Sequence, residues 1–191
     1  MNIDEIFELY RSKFVLAYTD YLSLTTSKPE QILIEESNIL SHLSQYFNSG
    51  ISCQSRENNL LKAHNHLIRA TLDLHKLTWA DLRQKLDGLI ISDSKSRLCF
   101  NSPEHEVLKE YAQFIELAKD ARNYEMQNIG DRPEDTIEHY EKVNQIGFQL
   151  LQKFDTVKHS RITSFTNIIR TREFFWGVAA SLVAAGIIAL L

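Results

Sequence analysis

The sequence predicts an all-α protein, a helical bundle of about five helices with a C-terminal transmembrane helix. Three observations lead there. Apolar residues recur at spacings of three and four along most of the chain. The three prolines, Pro29, Pro103 and Pro133, each stand directly ahead of acidic residues, the pattern of a helix start. Residues 174–191 contain no charged side chain.

The elements follow in order. A first helix is expected near 3–24, with Ile6, Tyr10, Phe14 and Tyr18 in steps of four. A second is expected near 29–47, ended by Asn48-Ser49-Gly50. A third starts after Ser55 and runs to Asp87-Gly88. Its apolar stripe is Leu61, His64, Ile68, Leu72, His75, Trp79, Leu82 and Leu86. Residues 89–102 break the helical spacing and read as a loop or short hairpin. A fourth helix runs from Pro103 toward Asn128, with Val107, Tyr111, Phe114, Ala118 and Ala121 inward. A fifth starts at Pro133, with Ile137, Tyr140, Val143, Gly147, Leu150, Phe154 and Val157 inward. Ile162, Phe165, Ile168 and Ile169 continue the spacing, so this helix is expected to run on as an amphipathic segment.

Three regions result: a helical body over 1–157, a basic juxtamembrane segment over 158–173, and an anchor over 174–191. Their charges differ. The whole chain has a net charge of -4, but residues 1–157 hold 17 basic and 24 acidic residues. The segment 158–173 holds Lys158, Arg161, Arg170 and Arg172 against Glu173. An acidic body argues against broad nucleic-acid binding, which relies on clustered cations, so no nucleic-acid partner is expected. Two cysteines, Cys53 and Cys99, are too few for a disulfide framework and read as free thiols in a reducing compartment.

Eighteen helical residues reach about 27 Å, near the thickness of a hydrocarbon core. Phe174, Phe175 and Trp176 fall where an interfacial aromatic belt belongs. The N-terminus lacks a basic stretch followed by an apolar one, so no signal peptide is read. With the basic residues just before the span, the expected placement is a single-pass membrane protein with a cytoplasmic N-terminal body. Gly177, Ser181, Ala185 and Ala189 are spaced by four and put small groups on one helical face. Such a stripe lets two helices approach closely and predicts association in the membrane.

The chemistry-bearing residues are sparse. His64-Asn65-His66 spells the HNH triplet of a nuclease family. Inside a helix the two imidazoles point about 200° apart, so they cannot share a metal. His66, Arg69, Asp73 and Lys76 form a polar face at helical spacing. That face reads either as a solvated ladder of ion pairs or as a cluster for a partner. Arg69 to His75 and Arg132 to His139 have spacings similar to the Arg–His motif of HEPN-type ribonucleases. The residues after each arginine, Ala70 and Pro133, depart from that family's usual polar residue. No phosphate-binding loop, nucleophile elbow or paired CxxC motif occurs. No catalytic residue, cofactor or metal site is expected.

The expectation is therefore a tail-anchored protein whose body binds a protein partner or signal and whose span self-associates as a homo-oligomer. This layout loosely resembles small membrane effectors of bacterial anti-phage defence, which implies a membrane-perturbing role. The alternatives are a membrane-tethered HEPN-type ribonuclease and a structural adaptor.

Overall fold

The computed structural model describes residues 2–131 and 133–190, with side chains described as far as Ala179, Arg170 excepted. The helices are α1 (Ile3–Leu9), α2 (Val15–Leu24), α3 (Glu30–Tyr46), α4 (Cys53–Leu86), α5 (Ser94–Arg97), α6 (Glu104–Gln127), α7 (Pro133–Gln152) and α8 (Thr156–Leu190). A π-helical segment, Tyr10–Phe14, joins α1 to α2 as one rod, and a second, Asp87–Ser92, extends α4. Among the described residues there is no strand, and one isolated bridge pairs Phe100 with Phe154.

The starts follow the capping chemistry. Asn2 accepts from the Asp4 N–H while the Glu5 carboxylate accepts from the Asn2 N–H, closing a capping box on α1. Pro29 and Pro103 stand at the caps of α3 and α6, and Pro133 is the first residue of α7. The third helix begins earlier than expected. The Ser52 hydroxyl, not Ser55, caps α4 by accepting from the Ser55 N–H at 3.1 Å.

The core is built around α4. Its first two-thirds buries Leu60, Ala63, Leu67, Ala70 and Leu74 against Ile6, Phe14 and Tyr21 of the N-terminal rod and Ile32 and Ile39 of α3. Its end, Leu82 and Leu86 with Ile90, meets Tyr111, Phe114 and Ala118 of α6 and Tyr140, Val143 and Leu150 of α7. The single expected stripe is thus corrected to two. Leu61 is 49% exposed and Leu60 is buried in its place, while His64, Leu72 and Trp79 are half-buried. A helix with partners on two sides changes its buried face along its length. For α6 all five expected inward residues are buried. For α7 the inward set holds through Leu150, but Val157 lies exposed on α8.

Two connections also differ. Residues 89–102 form no hairpin: the π-helical segment leads into α5, which Asp93 caps through the Lys95 N–H at 2.9 Å. The fifth helix does not run on. It ends at Gln152, where Asn101 N donates to Lys153 O and Asp155 N donates to Cys99 O. Asp155 then caps α8 by accepting from the Lys158 N–H at 2.8 Å. The boundary expected at 157 therefore falls just inside α8.

Beyond this joint α8 leaves the body, and Phe165, Ile168, Phe174, Phe175 and Trp176 are exposed. Among the described residues no helix is long and apolar enough to cross a membrane. Of the small-residue stripe, Gly177 is described; the side chains of Ser181, Ala185 and Ala189 lie outside the described residues, as does that of Arg170.

At Gly147, α7 lies close against its neighbours. A Cβ there would lie 2.9 Å from both Leu82 Cδ1 and Phe114 Cε2. Gly147→Ala is expected to destabilise by roughly 1–3 kcal/mol through overpacking, despite the better helix propensity of alanine. Gly88 has open space around its Cβ position. Gly88→Ala is expected to be neutral or stabilising by up to about 1 kcal/mol. Urea denaturation of the two variants checks the contrast.

Candidate functional site

Each long helix contributes polar groups to the inter-helix seams. The expected cluster on α4 divides between two of them. His66 Nδ1 lies 2.5 Å from Glu35 Oε2, and Arg69 lies 3.6 Å from Glu35 Oε1, both toward α3. Asp73 and Lys76 turn the other way. The Lys76 ammonium sits 3.1 Å from Asp73 and 3.1 Å from Glu125 of α6. Arg122 and Tyr140 also reach Glu125. Burial alone would raise the Glu125 carboxyl, but Lys76, Tyr140 and Arg122 together hold it below its ordinary range. Burial, then the Glu125 charge, pushes the Tyr140 phenol up to about 12. Both junctions tie helices together.

His75 lies in a different place, on the face of α4 covered by α7. Asn144 Nδ2 donates to the His75 carbonyl at 3.0 Å and approaches His75 Nδ1 at 3.3 Å. The carbonyl can only accept, so it sets which way the Asn144 amide points. Nδ1 then accepts, which puts the ring proton on Nε2. Two buried polar atoms have no hydrogen-bond partner here, His75 Nε2 and Asn144 Oδ1. Nε2 faces Glu141 Oε1 at 3.8 Å, too far for a hydrogen bond. The Glu141 carboxylate is instead held by Lys13, at 2.9 and 3.1 Å. Lys13 comes from the π-helical segment of the N-terminal rod, and such segments change the direction in which a helix aims its side chains.

These groups line a cleft of about 720 Å³ between the rod, α4 and α7, with Asp20, Leu16 and Phe148 among its walls. Partial desolvation, then the Glu141 charge, raises the Asp20 carboxyl. Burial pushes His75 down to about 4, against the opposing pull of Glu141. At neutral pH the ring is therefore uncharged and a poor proton acceptor, which suits it to hydrogen bonding rather than general base work. Among the described residues no group of three or more histidine, cysteine or acidic side chains is placed to hold a metal ion. A wide concavity on α8, around Arg172 and Trp176, has only that one helix as its wall.

The HEPN-type pairing does not assemble at Arg69 and His75. Arg69 turns to Glu35 and His75 to Asn144, on different faces of α4. Arg132 lies outside the described residues, and the His139 ring packs on Tyr124 at 4.3 Å. Both cysteines are free, Cys53 exposed and Cys99 buried, and burial raises the Cys99 thiol. Sequence reasoning missed Lys13, Asp20, Glu141 and Asn144. One signal was present: Asn144 is a polar residue on the inward face of α7, between Tyr140 and Gly147. No protein-family model, curated protein or solved structure matches this chain.

The lowered His75 pKa sets a pH dependence. The unfolded chain takes up the proton below about 6.5, while the folded chain resists it down to about 4. Stability from this group is complete above the unfolded value and is lost as pH falls between those two values. Urea denaturation at pH 7 and pH 5 is expected to show a smaller loss for His75→Gln than for the parent chain. Equal losses in the two would show that another group carries the slope.

Proposed function

We propose that this chain is a membrane-anchored binding module. The helical body carries a polar cleft for a partner or signal. The α8 helix, together with the uncharged sequence 174–191, holds the body at a bilayer on the cytoplasmic side. One observation carries the reading. After its joint with the body, α8 exposes Phe174, Phe175 and Trp176 at 64–67%, two residues beyond the exposed Arg172 and on the same helix as the exposed Lys158 and Arg161. In water such aromatics are a cost; burial of each in lipid gains about 1.5–3 kcal/mol. Cations beside an apolar helix favour an anionic surface. The sequence from 174 onward is uncharged, which suits a helix end in hydrocarbon.

Within this reading, Gly177, Ser181, Ala185 and Ala189 associate spans, and clustering of bodies perturbs the bilayer as an effector does. The separation of Arg69 from His75 favours this reading over the HEPN-type ribonuclease. A structural adaptor shares the anchor and lacks the clustering.

Fractionation tests the anchor. The full chain is expected in the membrane pellet after carbonate washing, and a chain ending at residue 173 in the supernatant. Recovery of the full chain in the supernatant would overturn the reading. Crosslinking in membranes tests the clustering. Ser181→Leu with Ala185→Leu is expected to reduce the crosslinked oligomer to monomer while leaving the chain in the pellet.

A further inference from the structure

From the face shared by α3 and the N-terminal rod, we infer a docking groove for a basic amphipathic helix of a partner protein. Leu33, Glu36, Leu40, Leu43 and Phe47 of α3 are spaced by three and four, so they share one side of the helix. On that side Leu40 and Phe47 are 68% and 69% exposed. Phe7 and Tyr10 of the rod are also exposed and stand across from Leu40. Between them lies an apolar groove of about 240 Å³, with the buried Ile6, Ile39 and Leu67 beneath it and Glu36 in its wall.

The second observation is the charge of the two walls. α1 and α3 hold Asp4, Glu5, Glu8, Glu30, Glu35 and Glu36, and no lysine or arginine. Glu35 turns inward to His66 and Arg69, and Glu8 pairs with Arg11 of the π-helical segment. Lys13, the other cation of that segment, is taken by Glu141. Asp4, Glu5, Glu30 and Glu36 enter no ion pair among the described residues. An apolar strip on two acidic helices is complementary to an apolar helix face flanked by lysine or arginine.

The walls are helices with no sheet edge to offer, which suits a helix as occupant. At 1.5 Å per residue the strip from Leu33 to Phe47 is about 21 Å long, the length of about four helical turns. A second copy of this chain is a poorer match. Contact of this face with its twin sets acidic helices against each other. The chain's own basic helix, α8, springs from the other end of the body. Phe154, just before α8, packs in the cluster that contains Leu86. About 28 Å of α4 separates Leu86 from Leu67 of the groove. The excess of negative charge also disfavours an anionic lipid surface. The inference concerns the body alone and goes beyond the anchor reading.

Fluorescence anisotropy tests it, with a labelled four-turn peptide that carries leucine on one face and lysine on the other. The full chain is held in phosphatidylcholine nanodiscs, and empty nanodiscs serve as the blank. One saturable site above the blank is expected at micromolar concentration, weakening as salt rises. The same peptide with glutamate in place of lysine is expected not to bind. Leu40→Glu and Glu36→Lys are each expected to weaken the basic peptide roughly tenfold or more. Leu98→Glu, at an exposed leucine outside the groove, is expected to leave binding unchanged. Urea denaturation of Leu40→Glu is expected to match that of the parent, which separates lost binding from lost folding. The groove is overturned if nothing binds above the blank, if the two peptides bind alike, or if Leu40→Glu and Glu36→Lys bind as the parent does. A dimer of the full chain that Leu40→Glu abolishes would give the face to a second copy and overturn the partner reading. The blank subtracts the bilayer, so failure here leaves the anchor reading intact.

Discussion

The rest of the structure depends on the packing of α4. This 34-residue helix is too long and too apolar on too many sides to be covered by one neighbour. Its first two-thirds takes α3 and the N-terminal rod, and its end takes α6 and α7. Each of the other body helices is positioned by the patch of α4 that it covers, or by a helix that covers one. The close approach at Gly147, with Leu82 and Phe114 against the missing Cβ, sets how near α7 can lie. Because α7 lies that near, Asn144 reaches the backbone carbonyl of His75.

Polar groups in the seams follow from the same packing. Glu35 is 3% exposed, and His66 and Arg69 of α4 stand beside its carboxylate. Glu125 has Lys76, Arg122 and Tyr140. Breaking one side of such a junction leaves an unmatched buried charge, which costs more than the intact pair contributes. The His75 cleft is built differently. Its polar atoms are brought together by α4, α7 and the π-helical segment, yet two of them stay unmatched.

The joint at 153–155 decides how body and α8 are related. Backbone bonds from Asn101 to Lys153 and from Asp155 to Cys99 fasten the connector before α6 to the end of α7. Lys153 adds an ion pair to Glu110 at 2.6 Å, and His159 packs its ring on Phe154 at 5.4 Å. The chain thus leaves the body from a fastened point rather than from a flexible linker.

Much of the fold was legible in the sequence, because helix starts and core stripes are local properties. Pro29, Pro103 and Pro133 marked three starts through a missing N–H and the acidic residues after it. The α6 stripe was read in full because α6 turns one face to the core. The α4 stripe was misread because its buried face changes with the partner, and the partner is a tertiary fact. The break at 153–155 was missed for the same reason, since bonds to residues 99–101 make it. His66, Arg69, Asp73 and Lys76 were found as a polar face, but their division between Glu35 and Glu125 depends on helices far away in sequence. The candidate site was hardly legible at all. Lys13, Asp20, His75, Glu141 and Asn144 are separated by up to 131 positions, and no local spacing joins them. The sequence by itself determined the helical class, the three proline-marked starts and the uneven charge, since these depend on neighbours in the chain. Only the tertiary structure decided the cleft, since three helices must pack before its residues meet.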